Sequence, residues 1–138
     1  MVVVGPRRIE MGIREEISKI PKLKNIGLAL IDYVESLHPG ITFELKSKRW
    51  VPSVNFVTFT VQYARAQNIA ISLRGSPKEF IEFDELPLRE GMGHGAYTEC
   101  TLERANQLPA LAMHVRRAHE LYNQGREREK KHPTITGA

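Results

Sequence analysis

Residues Asn55–Gly75 have the sequence NFVTFTVQYARAQNIAISLRG, which decides the fold of the chain. In Val57–Tyr63, β-branched and aromatic residues alternate with polar ones, and Ile69–Leu73 repeats the alternation. This period of two is typical of strands that bury one face. Ala64–Asn68 lies between the two runs and is polar enough to form a turn. The stretch therefore predicts a β-hairpin with its apolar side in the core.

Further strands and helices are needed around this hairpin, because a lone hairpin is marginal in water. Ile41–Lys46 and Ala96–Leu102 show the same alternation and predict two more strands. Lys22–His38 and Glu103–Gln124 carry apolar residues at helical spacing and predict amphipathic helices. The predicted fold class is α+β, with an antiparallel sheet of about four strands and the N-terminal and C-terminal helices packed on one of its faces.

Three shorter features carry finer predictions. Met11–Ile20 has isoleucines at helical spacing and predicts a short helix ending at Pro21. Leu45 is expected to face inward from its strand, because it alternates with charged residues. Lys48–Ser53 is expected to be a basic connection between strands, and it carries the only tryptophan, Trp50.

Length and composition favour a single soluble domain. The 138 residues are 41% hydrophobic, which is enough for one core. We expect a domain over residues 1–124 and a flexible basic tail over 125–138. No apolar run approaches the roughly 18–20 residues of a membrane span, and the first residues do not resemble a secretory signal. The expected location is the cytoplasm, without membrane attachment, and the single cysteine, Cys100, excludes an internal disulfide.

The net charge of +4 comes from the two ends of the chain. Residues 1–25 carry six Lys/Arg and three Glu, and residues 125–138 carry four and two. The span 26–124 therefore has ten basic and eleven acidic residues. The overall charge alone is thus a weak indication of a nucleic-acid partner.

The outward positions of the predicted strands form a polar face that an antiparallel sheet can leave in water. Its expected members are Thr42, Glu44, Lys46, Thr58, Thr60, Gln62, Ser72, Arg74, Tyr97 and Glu99. It is the coherent polar surface that the sequence defines, and we take it as the candidate binding surface.

The order of these segments resembles an uncharacterised domain family. The matching patterns are Asn55–Phe59 (NFVTF), Ile69–Leu73, the Gly-His loop Gly93–Gly95, and Ala118–Tyr122 in the last helix. The resemblance covers Leu23–Gln124. The family is usually described as "predicted transport protein" and often follows restriction-type nuclease domains. The resemblance implies an accessory role in a restriction or defence system, and it carries no active site.

Basic and aromatic residues cluster near one end of the predicted sheet. They are Lys46, Lys48, Arg49, Trp50, Arg65 and Arg74. Single-stranded nucleic acid is often held by such a mixture of phosphate contacts and base stacking. We therefore predict a binding module that contacts nucleic acid through this surface, with no catalytic residue and no cofactor assigned.

Glu44 and Lys46 suggest an alternative, since a Glu-x-Lys pair at a strand end is half of a restriction-type nuclease site. That site needs a second acidic residue from the same sheet. The nearest acids upstream, Asp32 and Glu35, lie on the polar side of a predicted helix. The alternative is a small metal-dependent nuclease.

Histidines do not predict a metal site. His114 and His119 are five residues apart and point about 140° away from each other on a helix, so they cannot share a metal ion as an i,i+4 pair would. His94 lies in the glycine-rich loop Gly91–Gly95 and is the histidine best placed for a surface role.

Self-association is a further alternative. Edge strands must be covered or paired, and either Val2–Val4 or Ala96–Leu102 could pair across a two-fold axis to form a homodimer. The residues leave open whether Val2–Val4 is an edge strand or a loose arm.

Overall fold

The computed structural model describes residues 12–91 and 95–136, with side chains through residue 125. The predictions for Val2–Val4 and His94 lie outside the described residues. In chain order the helices and strands are α1 (Ile13–Ile17), a 3₁₀ turn (Pro21–Leu23), α2 (Lys24–Leu37), β1 (Phe43–Lys46), β2 (Arg49–Pro52), β3 (Val57–Gln62), β4 (Asn68–Arg74), a 3₁₀ turn (Pro77–Glu79), β5 (Arg89–Glu90), β6 (Tyr97–Leu102), a 3₁₀ turn (Ala105–Gln107) and α3 (Leu108–Thr136). No helix within the described part of the chain combines the length and apolarity of a membrane span.

The fold is α+β with an antiparallel sheet, as predicted, but the sheet has six strands rather than about four. Its strand order is β1-β2-β3-β4-β6-β5. The predicted basic connection is in fact strand β2, which pairs Arg49 with Lys46. Ser47 makes this tight reversal possible because it takes a left-handed φ of 60°. The other added strand, β5, has two residues and is too short to show a period.

The cross-strand register gathers the apolar residues of three strands on one face. Phe59 of β3 pairs with Ile71 of β4, and Ile71 pairs with Cys100 of β6. All three are at most 1% exposed. The residues two positions before and after them on each strand, which face the same side of the sheet, are also buried. Burial raises the pKa of the Cys100 thiol to about 12, so it packs as a neutral core group. The predicted alternation of these three strands is confirmed.

Strand β1 buries less than predicted, and its neighbour β2 buries the tryptophan. Leu45 was expected inside but is 47% exposed, because β1 is the outermost strand of the sheet. Its cross-strand partner, Trp50, points to the same side and is 4% exposed. The indole Nε1–H of Trp50 donates a hydrogen bond of 2.7 Å to Oε1 of Glu16. Trp50 is therefore a core residue, and the prediction that its ring stacks on a nucleic-acid base is not compatible with this burial.

The helices pack against the sheet and against one another. α3 contacts β4, β3 and α2, and α1 contacts α2. Gly27 of α2 is buried where these elements meet, beside Ile17 of α1 and Ile69 of β4. The α3 backbone continues to Thr136, into the segment predicted as a tail.

Strand β6 is not a free edge. It lies between β4 and β5, and β5 covers its outer side at Thr98 and Glu99. The prediction that Ala96–Leu102 pairs with a second copy is therefore wrong at those positions. The edge strand on the other side of the sheet is β1.

Replacing Gly27 with alanine is expected to destabilise the fold. A Cβ at this position would lie 2.6 Å from Cγ2 of Ile17 and 3.4 Å from Cδ1 of Ile69. The overpacking costs about 1–3 kcal/mol, which exceeds the roughly 1 kcal/mol that alanine gains over glycine in a helix. Urea unfolding of Gly27→Ala measures this, with the exposed Asn25→Ala in the same helix as the matched control. A Gly27→Ala variant more stable than the native chain would contradict the packing described.

Candidate functional site

The face of the sheet opposite the core is called here the open face. A row of polar residues crosses it, because Thr58 pairs with Ser72 and Ser72 pairs with Glu99. Arg89 of β5 pairs with Glu99, and its Nε lies 3.6 Å from Oε1 of that carboxylate. The register that fills the core thus places hydroxyl and charged groups in a line on the other side.

A recess of about 170 Å³ opens at one end of this face, and we call it the arginine recess. Its lining consists of Arg49, Asn55, Phe56, Thr58, Ser72, Arg74, Tyr97 and Glu99. Arg49 reaches it because Trp50, the next residue of β2, faces the core, and successive side chains of a strand point to opposite faces. Arg74 reaches it from β4, where it is paired with Tyr97. The recess thus combines two guanidinium groups with hydroxyl and amide groups and with the carboxylate of Glu99.

Ion pairing separates the arginines of the chain into two sets. Among those whose side chains the structure describes, the ones with salt bridges are Arg14, Arg89, Arg104, Arg116 and Arg117. Arg49, Arg65 and Arg74 have no carboxylate within 4.0 Å among the described residues. Arg74 has an aromatic neighbour instead, since its guanidinium carbon lies 5.8 Å from the centre of the Tyr122 ring. Among the arginines with described side chains, those predicted to bind nucleic acid are therefore the ones that lack an acidic partner.

Other predicted residues gather at the opposite end of β3 and β4. Lys48, in the β1–β2 turn, and Arg65, in the β3–β4 turn, line a shared recess of about 660 Å³ with Thr60 and Gln62. Lys46 pairs with Arg49 at the end of the β1–β2 hairpin and is exposed. The structure thus divides four residues of the predicted cluster between two recesses, while Lys46 lines neither of them and Trp50 lies in the core.

Aromatic groups are scarcer on the open face than predicted. Tyr97 is half-buried and lines the arginine recess, so part of its ring faces solvent. Phe56 also lines the recess but is 1% exposed. With Trp50 in the core, Tyr97 is the aromatic side chain in this recess best placed for stacking.

The acids upstream of the nuclease pair are engaged elsewhere, on a helix. Glu44 and Lys46 both point to the open face, and their cross-strand partners are Val51 and Arg49. The upstream acids Asp32 and Glu35 lie on α2, where both pair with Arg14 at 2.9 and 2.8 Å. Within residues 12–91 and 95–136 there is no group of three or more His, Cys, Asp or Glu side chains that could hold a metal ion.

A cluster of rings behind the arginine recess was missed by the sequence analysis. Nδ1 of His38 lies 3.1 Å from Nε2 of His119, so one ring donates a hydrogen bond and the other accepts it. The His119 ring packs edge-on against Phe56, with 4.7 Å between centroids, and lies beside Tyr122. Because Phe56 lines the recess, this cluster supports its wall. The members come from three distant segments, so no local spacing indicates them.

No family model, curated protein or solved structure matches this chain. Thr58, Arg74 and Tyr97, which were expected on one polar face, line the arginine recess, and Arg49 joins them from a segment expected to be a connection.

The buried His114 and the half-buried His119 predict a stability that falls in mild acid. Burial lowers the pKa of His114, and burial together with the nearby His38 lowers the pKa of His119, while Glu120 opposes the shift. The unfolded chain then binds more protons below about pH 6.5. The contribution of these two neutral histidines to the free energy of unfolding is therefore complete above that pH. It is lost as the pH falls through their pKa values in the folded state.

Urea unfolding between about pH 7.5 and 5.5, above the range in which carboxylates titrate, measures this dependence. The urea midpoint should decrease across the interval. The variant His119→Phe should show a smaller decrease, and a further His114→Phe change should flatten the curve. A native midpoint that does not change over this interval would contradict the assignment.

Proposed function

We propose that the chain is a binding module whose open face holds a single-stranded nucleic acid. The proposal rests on which arginines form salt bridges. Arg49, Arg65 and Arg74 lack acidic partners among the described residues, whereas the other arginines with described side chains have them. The proposal takes both long helices to cover the core face, which leaves the polar face open to a ligand. It also takes the chain to act in the cytoplasm.

The chemistry of the arginine recess suits a sugar–phosphate backbone. Guanidinium groups bind phosphate oxygens in a bidentate manner, and each neutralised phosphate releases counterions into solution. The hydroxyl groups of Thr58 and Ser72 can donate to phosphate or sugar oxygens. The neighbouring acid, Glu99, is held by Arg89 at 3.6 Å, which reduces its repulsion of a phosphate.

Single-stranded nucleic acid fits this face better than a duplex does. Sheet surfaces hold splayed bases on aromatic rings while basic side chains follow the backbone, and Tyr97 provides such a ring beside Arg74. The described part of the site offers one stacking ring, so we expect little sequence preference. The family resemblance supports an accessory role beside a restriction or defence nuclease rather than cleavage by this chain.

Arg49→Gln is expected to weaken binding of a labelled single-stranded oligonucleotide. Each phosphate contact contributes about −0.7 to the slope of log K against log salt for single strands. Removing one contact should therefore reduce the magnitude of the slope by about 0.7, and lower affinity at low salt roughly tenfold. Fluorescence anisotropy at several salt concentrations measures both quantities.

Arg116→Gln is the matched control for this experiment. Arg116 lies on α3, is exposed and pairs with Glu120 at 3.7 Å, so its loss removes the same charge without touching the open face. An equal effect of Arg49→Gln and Arg116→Gln would indicate non-specific attraction and overturn the proposed site. A native chain without affinity at low salt would end the proposal.

A second candidate function is self-association through β1, which is favoured by its position and exposure. The outer edge of β1 has no neighbouring strand within the described sheet, and Leu45 is exposed on this strand. Unpaired edges are templates for a second chain, and a two-fold axis would pair β1 with its copy.

Light scattering coupled to size exclusion tests this second function. A dimer is expected at high protein concentration, and Leu45→Lys should shift the equilibrium to the monomer, because the charge would be buried in the interface. Ala29→Lys, on an exposed position of α2, is the control. A native chain that stays monomeric at the highest concentration tested would contradict pairing through β1.

A further inference from the structure

The recess of about 660 Å³ at the far end of β3 and β4 is called here the turn recess. It is lined by Lys48 of the β1–β2 turn and by Arg65 of the β3–β4 turn. Strand β2 pairs with β3 at Trp50 and Phe59, and because the two strands are antiparallel, the β1–β2 turn lies beside the end of β3. The turn recess is thus a concave site between two turns of the sheet.

The turn recess adjoins the arginine recess along two strands. On the β2 side, Arg49 lines the arginine recess, and the preceding residue, Lys48, lines the turn recess. On β3, Thr58 lines the arginine recess and Thr60 lines the turn recess. Alternate residues of a strand share one face and are roughly 6.7 Å apart. A ligand that follows β3 away from the arginine recess therefore enters the turn recess directly.

The lining of the turn recess has more positive than negative charge. Lys48 and Arg65 form no salt bridge with the described residues. One acid, Glu16, also lines the recess, but its Oε1 accepts the 2.7 Å hydrogen bond from the indole of the buried tryptophan. The two cations are therefore available to an anionic ligand, as Arg49 and Arg74 are in the arginine recess.

Exposed apolar side chains also line the turn recess. Leu45 is 47% exposed and Tyr63 is 37% exposed. The Tyr63 ring contacts Lys19, whose Nζ lies 4.2 Å from the ring centre. The Nε2–H of Gln67 donates a hydrogen bond to the Tyr63 carbonyl oxygen, which holds the turn that carries the ring. An exposed ring beside cations is the arrangement on which the bases of a single strand stack.

We propose that one single-stranded nucleic acid occupies both recesses, with its backbone along β3 and one of its bases stacked on Tyr63. The extended site rests on the proposed function and lengthens it beyond the arginine recess. Thr58 and Gln62 lie roughly 13 Å apart on the same face of β3, and Arg65 is three residues further along the chain. Sheet domains that bind single strands cover roughly 4–16 nucleotides. A dinucleotide is therefore expected to reach the arginine recess but not the turn recess.

Isothermal titration calorimetry with unlabelled thymidine strands of two and eight nucleotides tests the extended site on the full chain. The longer strand should bind at least about tenfold more tightly, because it adds a stacked base and further phosphate contacts. Tyr63→Ala should weaken binding of the longer strand about fivefold or more, because the stacking is lost, and should affect the dinucleotide much less. Tyr63→Phe retains the ring and should restore the affinity.

Two further measurements separate the stacked base from the phosphate contacts. An abasic strand of eight units has the phosphates without the bases, so Tyr63→Ala should not weaken its binding. Arg65→Gln should reduce the magnitude of the salt slope by about 0.7 for the longer strand and leave the slope for the dinucleotide unchanged. Ile81→Ala is the control, since it removes an apolar side chain that is 64% exposed and lines neither recess. Urea midpoints check that each variant is folded.

The outcomes distinguish the extended site from the proposed function. If Arg49→Gln weakens both strands while Tyr63→Ala and Arg65→Gln leave the longer strand unaffected, the proposed function stands and the extended site is refuted. Equal affinity of the native chain for the two strands, or an equal loss for the abasic strand in Tyr63→Ala, would also refute the extended site. Absence of binding by either strand at low salt would overturn the extended site and the proposed function together.

Discussion

The register between β3, β4 and β6 is the constraint on which the rest of the structure depends. It aligns Phe59, Ile71 and Cys100 on the core side, and it aligns Thr58 with Ser72 on the other. Because side chains alternate along a strand, a slip of one residue would expose the first set and bury the second. The burial of several apolar side chains, each contributing about 1.5–3 kcal/mol, therefore also fixes the composition of the open face. Core and candidate site are two results of the same pairing.

Phe56 connects the core of the protein to the open face. Its side chain is 1% exposed, yet it lines the arginine recess. Its carbonyl oxygen accepts a 3.0 Å hydrogen bond from the backbone N–H of Arg74, and its ring packs on His119. The backbone that carries one recess arginine is thus attached to a residue held by the helices. Such support from buried groups is what keeps a surface site in one geometry.

The sequence predicts the parts of this arrangement that depend on local alternation. The faces of β3, β4 and β6 follow directly from their period of two, because each strand is long enough to show it. The period of two fails for Leu45, because exposure there is set by the position of β1 at the edge of the sheet. It also cannot reveal β5, because two residues are too few to show an alternation. The His38–His119 pair arises from segments brought together by tertiary packing. Residue spacing contains no information about such contacts, so they could be found only in the structure.

The distribution of charge explains why net charge is a poor guide to this molecule. The central span of the chain has a slight excess of acidic residues, which argues against a polyanionic partner if the residues are merely counted. The acids of the open face are arranged otherwise: Glu99 pairs with Arg89, and Glu44 lies opposite Val51 on the outermost strand. Neither neutralises Arg49 or Arg74. A ligand responds to the local field of the groups it meets rather than to the total charge, and at the arginine recess that field comes from Arg49 and Arg74, which have no acidic partner among the described residues, and from Glu99, which pairs with Arg89.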